Sequence, residues 1–169
     1  MSEKGEVSKV ACLTFTRLLP GPIETVWDHL TDTKRLPSWF GEDSHIEPRA
    51  GGAVRLMGGH IRGVVTQWHP PRRLIYTWNV FEPDDPPNAV SEYPESYPSF
   101  DLESRGEKVL LTFRHVSVIG RFVPQSAMGW HTMLDLLEAV LHGNAVPERT
   151  DLMNRNAELY GVDLNNIER

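Results

Sequence analysis

The stretch Ser126 to Gly143, SAMGWHTMLDLLEAVLHG, carries the clearest helical pattern of the chain. Its apolar side chains recur every three or four residues, which is the spacing of one buried stripe on an α-helix. The stripe consists of Trp130, Met133, Leu134, Leu137, Val140 and Leu141. Ser126 is predicted as the N-cap and Gly143 as the C-terminal stop. A helix of this length is about 25 Å long, so its stripe needs an apolar surface of similar length to cover it.

The opposite side of this helix carries polar residues, namely His131, Asp135, Glu138 and His142. Such a set resembles a group of metal ligands, but only His131 and Asp135 have the i, i+4 spacing of a zinc pair. A solvent-exposed face explains the pattern better. We therefore predict no metal site and no cofactor.

The segments before the long helix are predicted to form strands and two short helices. Alternating apolar and polar residues predict a first strand over residues 10–19, and Pro20-Gly21-Pro22 ends it. Helical spacing then predicts short helices from Pro22 to about Thr33 and over residues 34–40. Further strands are predicted over 44–49, 53–57, 60–69, 74–81, 97–104 and 108–115, separated by Gly-rich and Pro-rich turns. In 60–69, either of the two alternating sets could face inward.

This order of elements predicts an α+β fold in which a curved antiparallel sheet of six to seven strands grips a long C-terminal helix. Residues 1–146 are predicted to form that single domain. Residues 147–169 are predicted to be an extension with a short helix around 150–160, packing through Leu152, Leu159 and Tyr160. A strongly bent sheet cannot contact a straight helix along its whole length, so a hollow is expected between them.

Composition and charge restrict the function. The chain has 169 residues, of which 40% are hydrophobic and 24% charged, as in a soluble globular protein. The net charge of −6 argues against nucleic-acid binding. We expect no membrane span, because no apolar run reaches about 20 residues. The single cysteine, Cys12, cannot form an internal disulfide, which favours a cytoplasmic location.

Five short motifs in the same order resemble the START/SRPBCC helix-grip superfamily, and within it the branch related to the heat-shock-protein-ninety ATPase activator (Aha-type). The motifs are PIETVW at 22–27, LPSWF at 36–40, PPRRLIYTW at 70–78, LTFRH at 111–115 and GW at 129–130, the last followed by the leucines of the long helix. They span roughly residues 10–143. The resemblance implies an antiparallel sheet around the C-terminal helix, with a cavity that takes a hydrophobic small molecule in many members. The family is functionally broad, so the fold alone does not give the function.

The candidate binding residues are the aromatic and apolar side chains expected to face this hollow, together with three polar ones. The five tryptophans would either fill the core or line a pocket for an apolar or aromatic ligand. His115 ends an inward-facing alternation and could exchange one hydrogen bond with a ligand, although a core histidine is the alternative. The predicted set is Trp27, Trp39, Phe40, Arg55, Trp68, Tyr76, Trp78, Phe113, His115, Trp130, Met133, Leu134 and Leu137.

One long irregular segment lies between Glu82 and Tyr97, EPDDPPNAVSEYPESY. Seven acidic residues and no Lys or Arg occur between residues 82 and 103. The segment is predicted to be either a variable surface loop or a lid beside the cavity mouth.

Three functions follow from these features. The first is binding of a small apolar or aromatic molecule without catalysis. The second is a protein-interaction module, chaperone-associated or regulatory, with a homodimer as one form of it. The third is a cavity enzyme of the cyclase or hydratase type, in which His115 or Tyr76 would act as acid or base. No motif of acyl transfer, phosphoryl transfer or redox catalysis is present.

Overall fold

A computed structural model describes residues 2–167 and has eight strands and four helices in this part of the chain. The strands are β1 (Ala11–Pro20), β2 (His45–Ile46), β3 (Ala53–Leu56), β4 (Ile61–His69), β5 (Arg73–Tyr76), β6 (Asn79–Val80), β7 (Tyr97–Arg105) and β8 (Lys108–Val118). The helices are α1 (Ile23–Thr31), α2 (Pro37–Phe40), α3 (Val123–His142) and α4 (Arg149–Tyr160). Single 3-10 turns follow β3 and precede α3.

All eight strands belong to one antiparallel sheet with the order β1-β8-β7-β5-β4-β3-β2, and β6 pairs with β4. The long α3 packs its apolar stripe against this sheet. The predicted α+β fold is therefore confirmed. The sheet has one strand more than expected because the predicted strand 74–81 is interrupted. At the interruption, Trp78 pairs through its backbone with Ser96 instead of with β4. The Trp78 nitrogen lies 2.8 Å from the Ser96 oxygen.

The close approach at this interruption requires a glycine. A Cβ on Gly63 would lie 1.9 Å from the carbonyl oxygen of Thr77. Thr77 also accepts a hydrogen bond from the Val64 backbone through its hydroxyl, at 2.8 Å. A register shift follows between Val65 and Gln67. Val65 faces the core before the shift and Trp68 packs inward after it, so both phases that the sequence left open are used.

The long helix begins three residues earlier than predicted. Val123 is its first residue and Pro124 lies in its first turn, where proline loses no hydrogen bond. Ser126 is therefore inside the helix, and its prediction as N-cap is wrong. Gly143 has a left-handed φ of 69° and ends the helix as predicted.

Helix α4 packs along α3 and covers a side of α3 that does not face the sheet. Leu152, Asn156 and Ala157 of α4 are buried, whereas Leu159 is 64% exposed, so the predicted packing role of Leu159 is wrong. Leu136 of α3 is buried although it lies outside the predicted stripe. Helix α3 is thus covered on two sides.

The polar side of α3 is partly buried rather than fully solvated, which corrects the expectation of a wet face. Arg17 on β1 donates hydrogen bonds to Asp135 at 2.8 Å and to Glu138 at 2.9 Å. Arg155 of α4 also pairs with Asp135. Among residues 2–167, no helix is long and apolar enough to cross a membrane.

Candidate binding cavity

A half-open cavity of about 530 Å³ lies between the sheet and the N-terminal half of α3. Its walls come from the connection between β3 and β4, the residues on either side of β6, the end of the Pro-rich segment, and the end of β8 with the turn after it. The first half of α3, Phe40 of α2, α4 and Ile167 complete the lining. The volume is within the range of small-molecule sites, and most of the lining side chains are apolar.

Trp130 is the centre of an aromatic cluster at the inner end of this cavity. Its ring centroid lies 4.2 Å from that of Phe113, 5.1 Å from that of Trp78 and 5.9 Å from that of Phe40. The tilted and edge-on arrangements are those that aromatic quadrupoles prefer. Trp130, Trp78 and Phe40 line the cavity, whereas Phe113 lies behind them in the core. The cluster gives the cavity a rigid aromatic surface.

His115 is held by two hydrogen bonds within the protein. The Trp130 indole N–H donates to His115 Nδ1 at 2.8 Å, and His115 Nε2 lies 2.7 Å from Ser96 Oγ. An indole nitrogen can only donate, so Nδ1 is the acceptor and the neutral ring carries its hydrogen on Nε2, which donates to Ser96. Burial lowers the pKa of His115 to about 4, which keeps the ring neutral near pH 7.

Because of these hydrogen bonds, Ser96 rather than His115 offers a hydrogen-bonding group to a ligand in the cavity. Both ring nitrogens of His115 are used by protein groups, so the imidazole has no free nitrogen for a ligand. Ser96 also lines the cavity, and its oxygen accepts from His115 while its own hydroxyl hydrogen remains for another acceptor. A polar ligand atom beside Ser96 would therefore meet a donor.

The acidic segment forms part of the cavity rim. Glu82, Tyr93 and Pro94 line the cavity. The Tyr93 ring lies edge-on to that of Phe122, which belongs to the turn before α3, at a centroid distance of 5.4 Å. Arg62 fixes the segment by donating to the carbonyls of Asp85 and Pro86, at 2.7 and 2.9 Å. The segment therefore lies beside the cavity and is tied to the sheet.

Five of the thirteen predicted binding residues line the cavity: Phe40, Trp78, His115, Trp130 and Met133. The structure brings these five together from α2, β8, α3 and the irregular segment between β5 and β6. Each of them falls in a stretch of the sequence with helical or strand periodicity, and Trp78 lies in the predicted strand 74–81.

The other eight predicted residues do not line the cavity. Tyr76, Phe113, Leu134 and Leu137 are buried in the core behind its aromatic wall. Trp39 is also buried, and its indole N–H donates to the carbonyl of His29 at 2.7 Å.

The remaining three do not line the cavity either, and they lie on α1, β3 and β4. Trp27 and Trp68 pack edge-on against each other at 5.1 Å. Arg55 donates to the Gly58 carbonyl at 2.8 Å and pairs with Asp43 at 3.4 Å. All eight side chains face inward or form local contacts, but the cavity occupies only one end of the sheet.

Several lining residues were not predicted, and they lie on irregular or terminal segments. Ser96 and Tyr93 belong to the Pro-rich segment, and Arg149 and Met153 belong to α4. Ser117 is the extra residue of a register shift between β8 and β1, with a left-handed φ of 66°. None of these positions carries a periodic signal. The one sequence feature that pointed to any of these lining residues was the predicted extension helix around 150–160, which placed a partly apolar element after α3.

The cavity shows no arrangement suited to a metal. Within the described part of the chain, no group of three or more His, Cys, Asp or Glu side chains could hold a metal ion. His131 bonds Tyr160 at 2.8 Å through Nδ1, on the far side of α3. The site is therefore an aromatic cavity with a few polar groups.

Comparisons with known proteins agree with this architecture. The family model described as "Activator of Hsp90 ATPase homolog 1-like protein" matches residues 20–142. None of the curated proteins matches the chain. Among solved structures, the chain is similar to CalU16 from Micromonospora echinospora, with 25% identity, 89% of this chain and 86% of that chain covered, and a TM-score of 0.70.

Two further structures have the same fold. A protein encoded by gene BPP1335 from Bordetella parapertussis is 25% identical, with 98% of this chain and 94% of that chain covered and a TM-score of 0.71. The Aha1 dimer from Colwellia psychrerythraea is 19% identical, with 78% of this chain and 96% of that chain covered and a TM-score of 0.61.

Proposed function

The chain belongs to the activator of Hsp90 ATPase homolog 1-like family, and from this premise we propose that it binds a small apolar or aromatic molecule in the cavity between the sheet and α3. The observation that carries the proposal is the aromatic surface formed by Trp130, Trp78 and Phe40 at the inner end of a half-open cavity of about 530 Å³. A flat apolar molecule would bury its faces against these rings, which favours binding through removal of apolar area from water.

The hydrogen bonds around Trp130 support this proposal because they fix the ring before a ligand arrives. Its indole N–H is held by His115, and Phe113 packs against it from behind at 4.2 Å. A preorganised surface loses little conformational entropy on binding. The Ser96 hydroxyl lines the same cavity and is linked to Trp130 through His115, so a ligand with one acceptor atom beside it would gain a hydrogen bond.

The proposal is one of binding rather than catalysis. A cyclase or hydratase mechanism would use His115 or Tyr76 as acid or base, but His115 bonds the protein at both ring nitrogens. Tyr76 does not line the cavity, and burial raises the pKa of its hydroxyl far above its usual range.

Blocking the cavity tests the proposal. A Cβ on Gly129 meets no atom within 4 Å, and Gly129 lines the cavity on α3. Gly129→Phe places a ring in this space, whereas Gly129→Ala adds only a methyl group and serves as the matched control. Binding of neutral naphthalene and alkyl compounds is measured by tryptophan quenching and by the shift in melting temperature.

We expect the wild type and Gly129→Ala to bind at least one of these compounds, and Gly129→Phe to bind it at least tenfold more weakly. Equal binding by Gly129→Phe would place the ligand elsewhere. If no compound quenches the tryptophans or raises the melting temperature of the wild type, small-molecule binding of this kind is refuted.

The second candidate function is a protein-interaction module, favoured by the family itself and by the dimer named for the Colwellia psychrerythraea protein. A homodimer or a chaperone contact would use the exterior of the domain and would leave the cavity free. Analytical ultracentrifugation over a hundredfold range of concentration tests the homodimer. A single monomeric species throughout would exclude a homodimer in that range.

A further inference from the structure

Arg149 brings a positive charge into the cavity that no carboxylate of residues 2–167 pairs with. It is the first residue of α4, and its partly buried side chain lines the cavity beside Met133. One guanidinium nitrogen donates to the carbonyl of Trp39 at 3.1 Å, and the other terminal nitrogen lies 3.4 Å from the Met133 sulfur. A thioether is a weak acceptor, so only one of these contacts is a strong hydrogen bond.

The other partly buried arginines of residues 2–167 are better satisfied than Arg149. Arg17 and Arg55 pair with carboxylates. Arg62 donates to three backbone carbonyls. Arg149 has no carboxylate oxygen of the described residues within 4.0 Å and uses two of the five N–H groups that a guanidinium offers.

The environment of Arg149 opposes its charge. Burial lowers the pKa of the guanidinium, and no neighbouring acid among the causes of the shift counteracts this. The side chain also stands at the N-terminal end of α4, where the helix dipole disfavours a cation. This is unusual in a chain with 23 acidic residues and a net charge of −6. An anion in the cavity would offset these costs by pairing with the guanidinium.

We propose that the molecule bound in the cavity carries a carboxylate, which Arg149 receives while the apolar part of the molecule lies against Trp130 and Trp78. The inference rests on the proposed binding function and specifies its ligand class. A guanidinium suits this role because its planar N–H groups match the two oxygens of a carboxylate. Glu82 lies on the acidic segment at the rim, so the carboxylate is expected on the α2–α4 side of the cavity, where Arg149 lies.

A purely structural role is the competing explanation, since Arg149 also ties α4 to the end of α2 through the Trp39 carbonyl. The two roles differ in one measurable quantity. A structural arginine changes the affinity for charged and neutral ligands equally, whereas a carboxylate-binding arginine changes their ratio.

The test compares two pairs of probes that differ only in charge: 2-naphthoate with 2-naphthamide, and decanoate with decanamide. Their dissociation constants are measured by tryptophan quenching at about pH 7.5 for the wild type, Arg149→Met and Arg149→Lys. Melting temperatures of the variants show that they are folded. The wild-type preference is informative even if a variant does not fold, because it needs no substitution.

We expect the wild type to bind at least one acid about tenfold or more tightly than its amide. Arg149→Met should bring this ratio to about one, and Arg149→Lys should keep part of it because it keeps the charge and loses the planar fork. If the wild type binds the amides as tightly as the acids, the carboxylate inference fails and the binding function stands. If both variants keep the full wild-type ratio, Arg149 is not the receptor. If neither acids nor amides bind, both the inference and the proposed function fail.

Discussion

Acidification should destabilise this protein through His115 before most carboxylates titrate. In the folded state the neutral ring accepts from Trp130 and donates to Ser96. A second proton would go onto Nδ1 and would point at the indole N–H, so protonation breaks the chain and charges a side chain that is 3% exposed. Burial is the cause of the lowered pKa, because it disfavours the charged ring.

The size of the effect follows from the difference in pKa between the two states. The pKa is about 6.5 in the unfolded chain and about 4 in the folded one. Because the folded state binds fewer protons between these values, the stabilisation is fully present above pH 6.5 and is lost as the pH falls toward 4. At about 1.4 kcal/mol per pKa unit, the loss is roughly 3 kcal/mol. That is a large fraction of the stability of an ordinary domain.

The matched control is His115→Gln, which keeps an acceptor for Trp130 and a donor for Ser96 but does not titrate. Urea unfolding at several pH values between 7.5 and 4 gives the free energy of unfolding of both proteins. His131, whose pKa burial also lowers, is present in both and cancels in the difference. We expect the wild type to lose roughly 3 kcal/mol more than His115→Gln over this range.

Parallel pH curves for the two proteins would refute the assignment. The same conclusion would follow from an NMR titration in which the His115 ring protonates near pH 6.5 in the folded protein. Either result would mean that the ring is solvated or that its bond to Trp130 does not form.

Four substitutions test the packing of the fold by urea unfolding. Gly63→Ala should cost several kcal/mol or prevent folding, because its Cβ would lie 1.9 Å from a carbonyl oxygen. Gly129→Ala is the control and should stabilise α3 by up to about 1 kcal/mol. Equal effects of the two substitutions would contradict the close approach at Gly63. Leu134→Ala should destabilise by about 2–5 kcal/mol, because the side chain is 1% exposed in the core. Trp39→Phe should cost about 1–3 kcal/mol by leaving a buried carbonyl of α1 without its donor, and should leave ligand affinity unchanged because Trp39 does not line the cavity.

The sequence predicts the regular part of this fold well because each regular element has its own period. The stripe of α3, the alternation in β1 and β8, and the glycine at the end of α3 all act within a few residues along the chain. Features that depend on contacts between distant segments were missed. The interruption between β5 and β6 lies where Gly63 meets Thr77, and Asp135 on the polar side of α3 pairs with Arg17 and Arg155.

The same division runs through the candidate site. Trp130, Trp78, Phe40, Met133 and His115 were predicted because their elements aim them at the space between sheet and helix. The sequence placed His115 facing inward, but it could not show that Trp130 and Ser96 would occupy both ring nitrogens. Ser96 enters the site through its pairing with Trp78, which is a contact between two irregular segments.

The aromatic and the polar residues of the cavity differ in how freely they can be substituted. Trp130 lines the cavity and also packs in the core against Phe113, so a change at Trp130 alters stability and binding together. Arg149 and Ser96 lie on segments that the core does not require in the same way, since Arg149 is on a helix added after α3 and Ser96 follows a Pro-rich loop. Substitutions at these two positions change the polar contacts of the cavity and leave its aromatic wall in place, although Ser96 also bonds buried His115 and Arg149 also ties α4 to α2. Relatives that share the aromatic wall and differ at these two positions should therefore share the fold and bind different molecules.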